Sequence, residues 1–197
     1  LLNIQNSTAL GTTAADTSVG AAAELPLQGG IVVAAGETLS LTAGATLRNI
    51  SGSNTWTDTI TLANVTGATN IISDSGTLTL GAIDETGANN KGLTFDGAGN
   101  VIIGGTLTSG GSQMPLIKNG TGTVTLSGAS NAYGGTTTVN RGTLTLDYTG
   151  SNTTKLADGD ALILGGGTVN LSGGTHTEVV ASTTIAEGAS SITRAGG

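Results

Sequence analysis

The sequence predicts an all-β fold, a right-handed parallel β-helix (β-solenoid) of about nine or ten coils. Three observations predict it: one short phrase recurs along the chain, glycine is abundant, and few segments show the apolar period of a helix. The chain has 34 Gly and only 2 Pro among 197 residues. Because glycine accepts the positive φ angles that sharp turns require, the glycines predict the corners of the coils.

The recurring phrase is Gly-Thr-aliphatic-Thr-aliphatic. Alternate side chains of a strand point to opposite faces, so each copy predicts a strand with one aliphatic and one hydroxyl-bearing face. The spacing between clear copies is roughly 20 to 25 residues, which predicts stacked coils rather than isolated strands. Clear copies are residues 76–80, 122–126 and 142–146, and looser copies are 36–41, 44–47, 105–108 and 167–171.

The stacked-coil model predicts which side chains form the core. Aliphatic side chains should point inward and stack on their equivalents in neighbouring coils, while the threonines form ladders outside. A hairpin-built sandwich is the alternative, but the Asn-Gly and Asp-Gly pairs that hairpins favour occur between plausible strands only at 119–120 and 96–97. The predicted inward residues are Val124, Leu126, Val139, Leu144, Leu146, Val169 and Leu171.

Composition excludes several classes of partner. The net charge is −7 with only six Lys and Arg, which argues against binding of nucleic acid or of an anionic membrane. There is no Cys, so disulfides and thiolate metal sites are excluded. No apolar run approaches the ~18 residues of a membrane-spanning helix, so we expect no membrane insertion by this segment. Nothing in the sequence calls for a cofactor or a metal.

Residues 118–146 carry a resemblance to a known family. They resemble the autotransporter-associated β-strand repeat, a passenger motif of bacterial surface and secreted proteins. The positions that match the motif are Lys118, Gly120, Gly122, Thr123, Leu126, Gly128, Tyr133, Gly135, Thr136, Val139, Asn140, Gly142 and Leu144.

The resemblance implies a location and a function. We expect an extracellular or cell-surface location, outer-membrane-associated or secreted. We expect residues 1–197 to form one β-solenoid segment, non-enzymatic and structural, that serves as a stalk or a part of an extracellular filament. A sugar- or receptor-binding adhesin module is the first alternative, and a carbohydrate-active β-helix enzyme is the second.

Chemistry-bearing residues are few. His176 and Glu178 lie two apart, which on a strand would place them on one face. Asp158 and Asp160, like Asp84-Glu85, could bind Ca²⁺ or act as acid and base, and Lys155 is the nearest cation in sequence to Asp158. These residues do not form a constellation of base, charge stabiliser and cleft. We therefore predict no catalytic residue and interpret the carboxylates as solvated.

The aromatic residues suggest one ligand contact. Trp56 stands on a Thr-rich strand, where an exposed ring could stack on a sugar. Tyr133 occupies the tyrosine position of the repeat, so we expect it to pack over a corner. A glycan or cell-surface partner would therefore contact Trp56.

Neither end of the chain shows a polar cap. Open strand edges pair readily with other edges, so we expect end-to-end self-association or continuation of the repeat array. Residues 1–10 and 188–197 should then pair with a neighbouring chain or with further sequence.

Overall fold

A computed structural model of the chain describes residues 2–11, 16–33, 35–63, 66–87, 90–111 and 113–196. In chain order its strands are β1 (Thr17–Val19), β2 (Glu24–Gln28), β3 (Val32–Val33), β4 (Leu39–Leu41), β5 (Thr46–Ser51), β6 (Ser53–Trp56), β7 (Ile60–Leu62), β8 (Thr69–Ser73), β9 (Thr77–Leu80), β10 (Ile83–Glu85), β11 (Leu93–Asp96), β12 (Asn100–Ile103), β13 (Leu107–Ser109), β14 (Leu116–Lys118), β15 (Thr123–Leu126), β16 (Thr137–Val139), β17 (Thr143–Asp147), β18 (Ala161–Leu164), β19 (Thr168–Ser172), β20 (Ser182–Ile185) and β21 (Ser191–Ala195). The part of the chain that the structure describes contains no helix long and apolar enough to cross a lipid bilayer.

The strands form three parallel sheets. The first sheet has the order β1-β4-β7-β10-β13, the second β2-β5-β8-β11-β14-β16-β18-β20, and the third β3-β6-β9-β12-β15-β17-β19-β21. Each strand pairs in parallel with strands one coil before and one coil after it. This confirms the parallel β-solenoid, and a sandwich of antiparallel hairpins is excluded for the described strands.

The solenoid has about eight coils rather than the predicted nine or ten. Val124 pairs with Leu144, an offset of 20 residues, but Leu144 pairs with Val169, an offset of 25 residues. Val101 and Val124 are 23 residues apart. The prediction used the shortest offset and was wrong because the loops between the strands differ in length.

The core is built from columns of inward side chains. Six of the seven predicted core residues are buried: Val124, Leu126, Val139, Leu144, Leu146 and Val169 are each at most 2% exposed. Leu171 is only partly buried. Its neighbour in the next coil is Arg194 rather than an aliphatic residue, so the apolar column ends there.

Threonine ladders run along the outside of the third sheet. Thr77 pairs with Asn100, and Thr123 pairs with Thr143 and through it with Thr168. These side chains lie at half-exposed positions that alternate with the buried aliphatic ones. The prediction of separate aliphatic and hydroxyl-bearing faces is therefore confirmed on this sheet.

Glycine is required at one corner in particular. Gly142 has a φ of +63°, and a Cβ there would collide with the carbonyl oxygens of Gly120 and Gly122 in the preceding coil. Because both the dihedral and the close approach of the coils exclude a side chain, this corner of the predicted repeat can be made only with glycine.

The side of the solenoid that is formed by the first sheet changes after the fifth coil (β13 to β15). Loop segments take the place of that sheet in the sixth coil (127–136, before β16 and β17), the seventh (148–160, before β18 and β19) and the eighth (173–181, before β20 and β21). We call these three segments the loop side. A few backbone hydrogen bonds remain on this side, such as that from Ala132 N to Leu107 O at 2.8 Å. Side chains add to them: Asn131 accepts from Leu107 N (2.9 Å) and donates to Lys155 O (3.0 Å), while Asn152 accepts from Thr175 N (3.0 Å) and His176 N (2.8 Å). The coils therefore remain connected on the loop side by isolated backbone hydrogen bonds and polar side chains.

Candidate functional site

Trp56 lies in the core and not on the surface. Its side chain is 0% exposed, and its indole Nε1 donates to the backbone carbonyl of Glu37 at 3.0 Å. The prediction of an exposed ring is wrong, because Trp56 occupies an inward position of β6, beside Leu80. In this conformation the ring offers no face on which a sugar could stack.

The carboxylates of Asp84 and Glu85 point to opposite sides of β10. Asp84 is on the outside, where the hydroxyl of Thr108 donates to it at 2.6 Å. Glu85 is on the inside, 1% exposed, and its Oε1 lies 3.6 Å from Lys91 Nζ. Because neighbours on a strand alternate between faces, the two carboxylates do not converge on one site.

Asp158 and Asp160 also serve separate roles. Asp158 is exposed and accepts from the Thr154 hydroxyl at 2.6 Å. Asp160 Oδ2 accepts from the backbone N–H of Gly135 at 2.9 Å and so joins two neighbouring loops. Among the described residues, no group of three or more His, Asp or Glu side chains could hold a metal ion.

His176 and Glu178 do come together, although the segment that carries them is a loop and not a strand. His176 Nε2 lies 3.9 Å from Glu178 Oε2. The imidazole stacks on the ring of Tyr148, with 5.3 Å between the ring centres and 30° between the planes. The structure thus adds Tyr148, from the preceding coil, to the predicted pair.

Glu178 is the centre of this cluster. Its carboxylate is almost buried and accepts from the backbone N–H groups of Lys155 and Leu156 and from the hydroxyl of Tyr148. The amide of Leu156 lies 2.7 Å from Oε1. These donors come from the loop of the seventh coil, while Glu178 belongs to the loop of the eighth. Burial raises the pKa of the Tyr148 hydroxyl, and its bond to Glu178 raises that pKa further, so Tyr148 remains a donor.

The burial of three lysines was not predicted from the sequence, although Lys118 and Lys155 were named there for other reasons. Lys91, Lys118 and Lys155 are at most 2% exposed, and burial of an ammonium group is costly unless hydrogen bonds satisfy it. Burial lowers the pKa of Lys118 to about 8 and also lowers the pKa of Lys155. Their Nζ atoms donate to backbone carbonyls: Lys91 to Leu62 and Thr86, Lys118 to Gly120 and Arg141, and Lys155 to Ser127 and Gly128. Lys118 could have been recognised, because it stands two residues after Leu116 at an inward position.

Chemically, this arrangement holds coils together. The carboxylate of Glu178 already accepts from three fixed donors, so it is not a free general base. The ammonium groups of the buried lysines face carbonyl oxygens rather than an open cleft. The Glu178 cluster is therefore a set of contacts between the seventh and eighth coils.

The comparisons with known proteins agree with this architecture. Residues 116–146 match the family model of the passenger-associated transport repeat. A stretch of 113 residues, 57% of the chain, is 37% identical to the adhesin BmaC, an autotransporter of Brucella suis biovar 1 (strain 1330). The chain matches only 3% of the length of that adhesin. No solved structure matches the chain.

The fold and the match together define a class: a parallel β-solenoid segment in which residues 116–146 match the passenger-associated transport repeat. That repeat supplies β14 to β17, and thus spans parts of the fifth and sixth coils. Lys118 lies within the matched residues, and its ammonium group donates from the core side to the backbone carbonyls of Gly120 and Arg141, which lie at two corners. The tyrosine of the repeat, Tyr133, is 2% exposed and shares a hydrogen bond with the Thr137 hydroxyl at 2.7 Å, as expected for packing at a corner.

Proposed function

We propose that this chain is a non-enzymatic β-helical segment of an autotransporter passenger, at the bacterial surface or secreted, where it acts as a stalk or as part of an extracellular filament. The observation that carries the proposal is the passenger repeat built into an unbroken ladder: β14 and β15 pair in parallel with strands of the preceding and following coils. A segment of this kind extends the rod coil by coil, and this structural role requires no substrate-binding cleft.

Location is the first point to test. In bacteria that express the full passenger, antibodies raised against the purified chain should label intact cells or the culture medium. Antibodies against a cytoplasmic protein serve as the control for leakage. Labelling that appears only after the cells are permeabilised would contradict a surface or secreted location.

The eighth coil supports the proposal that the rod continues. The side chains of Ile185 and Ile192 are 64% and 55% exposed, although Ile192 stands in register with the buried Val169. Ile192 lines a cavity of about 200 Å³ whose walls are mainly aliphatic side chains. We propose that this apolar end is covered by another coil, from the same polypeptide or from a second copy. The predicted pairing of residues 1–10 and 188–197 belongs to this proposal, and Leu1 and Gly197 lie outside the described residues.

The absence of enzymatic activity is tested directly. The purified chain should give no turnover on acidic or neutral polysaccharides, with or without Ca²⁺. The carboxylates of Asp84 and Glu85 diverge, and Glu178 is held by fixed donors. Saturable activity that disappears in D158N or H176A would overturn this part of the proposal.

An adhesin role is the second candidate, favoured by the similarity to an autotransporter that is named an adhesin. Beads coated with the purified chain distinguish the two roles. A purely structural segment should bind to host cells and to immobilised glycans no better than beads coated with an unrelated β-solenoid. Saturable binding that free chain competes away would favour the adhesin.

A further inference from the structure

The contact between the loops of the seventh and eighth coils has the form of a binding site. The side chain of Glu178, in segment 173–181, accepts hydrogen bonds from backbone groups of segment 148–160. These groups lie in a loop and do not belong to a strand ladder. Its side chain is 7% exposed. Such burial of a carboxylate is tolerated only where donors replace its water.

Three donors converge on this carboxylate. The N–H of Lys155 lies 3.1 Å from both Oε1 and Oε2, and the N–H of Leu156 lies 2.7 Å from Oε1. The hydroxyl of Tyr148 donates to Oε2. The Thr154 hydroxyl lies 3.3 Å from Oε1 but 2.6 Å from the carboxylate of Asp158, so its single proton goes to Asp158.

The charge of Glu178 is balanced by dipoles more than by cations. Among the described residues, the one basic side chain within ion-pair distance is His176, at 3.9 Å, and it contributes a positive charge only when protonated. The ammonium group of Lys155 points the other way, toward the carbonyls of Ser127 and Gly128. Successive backbone N–H groups that meet one anion form the concave arrangement known as a nest.

One of the donor residues, Leu156, borders a cavity. Glu178 lines the cavity of about 200 Å³ at the apolar end of the solenoid, together with Leu156 and Val180. Once the Glu178 side chain is removed, a small carboxylate with an apolar tail, such as acetate, could place its oxygens at the donors and its methyl group against the aliphatic wall.

We propose that the amides of Lys155 and Leu156, with the hydroxyl of Tyr148, form a carboxylate-binding nest that Glu178 occupies, and that accepts a free carboxylate when the Glu178 side chain is removed. The occupied nest latches the eighth coil onto the seventh. It thereby fixes β20 and β21 in the register that a following coil would need, a consequence that rests on the proposed function.

The test compares E178A with wild type by hydrogen exchange in peptides that cover residues 153–158 and 182–195. E187A, which removes an exposed carboxylate from the same coil, is the matched control. In chloride buffer, exchange in both peptides should be about ten-fold faster or more in E178A, since a buried donor set loses its charged partner, and unchanged in E187A. Acetate should restore slow exchange in E178A, while chloride at equal ionic strength should not.

Two further variants keep the test decisive. E178Q retains an acceptor oxygen of the same shape, so it should be less affected than E178A and insensitive to acetate. Y148F in the E178A background should weaken the rescue by acetate. If E178A folds only in part, its refolding yield in acetate against chloride supplies the same comparison.

Three results would overturn the proposal: unchanged exchange in E178A, no rescue by acetate, or equal rescue by chloride. All of these measurements use the purified chain and are independent of where the protein resides in the cell. A failed antibody or adhesion experiment would therefore reject the proposed function without touching the nest, and a failed rescue would reject the nest alone.

Discussion

The indole of Trp56 donates at 3.0 Å to the backbone carbonyl of Glu37, which lies in the turn between β3 and β4. The only tryptophan of the chain thus supplies a hydrogen-bond donor to a backbone carbonyl inside an apolar core. Since a buried carbonyl without a donor is costly, this hydrogen bond explains why a tryptophan can occupy the position better than a smaller aromatic residue.

Replacement of Trp56 by Phe should destabilise the fold. The ring still fills part of the space, but the carbonyl of Glu37 loses its donor, for an expected loss of ~1–3 kcal/mol in the free energy of unfolding. Urea unfolding followed by circular dichroism measures this loss. An unchanged midpoint and slope would show that water or another donor replaces the indole.

Leu144→Ala should be more damaging. Leu144 is 0% exposed and stands between Val124 and Val169 in one column, so its removal leaves a cavity that neighbouring coils cannot close. We expect a loss of ~2–5 kcal/mol. The matched control is Thr145→Ala on the outer face of the same strand, for which the change should stay within ~0.5 kcal/mol.

Lys118 should make stability depend on pH above about 8. Burial lowers the pKa of Lys118 to about 8 in the folded chain, from an ordinary value of 10.5. Between these values the unfolded chain binds more protons than the folded chain, so the free energy of unfolding rises with pH. The comparison of wild type with K118M isolates this effect, because contributions from Tyr133 and Tyr148 cancel. The stability of wild type relative to K118M should increase from pH 8 to pH 10, and a difference that is flat or falls over this range would contradict the assignment.

The apolar end of the eighth coil should drive self-association of the purified chain. Wild type should show a sedimentation coefficient that rises with concentration, and I185K/I192K should remain monomeric because it places charges on the exposed apolar surface. T184K/T193K, with the same charges on the outer sides of β20 and β21, should behave like wild type. Identical sedimentation of all three proteins would remove the basis for end-to-end contact.

The strands of this chain could be predicted because a local pattern encodes them. In Thr143-Leu144-Thr145-Leu146 the alternation alone assigns each side chain to a face, and the glycine before it marks the corner. The number of coils could not be predicted as well, since it depends on the lengths of loops such as 148–160, which carry no alternation.

The contacts of the candidate site were beyond reach for a different reason. Glu178 meets Leu156, 22 residues earlier, and Tyr148, 30 residues earlier, and these partners become neighbours only once the coils are stacked in register. The depth of Trp56 was likewise misjudged, because the sequence alone did not reveal which face of its strand would turn inward.

The first sheet ends three coils before the other two, and this difference affects how the rod resists a pulling force. In a parallel solenoid the hydrogen bonds between strands run along the axis of the rod, so tension applied to its ends loads every bond between two coils at once. The first five coils resist with three ladders, whereas the sixth to eighth resist with two ladders and the scattered side-chain and backbone contacts of the loop side. Under a pulling force the rod should therefore peel from the eighth coil inward, and Glu178 would be among the first contacts to yield.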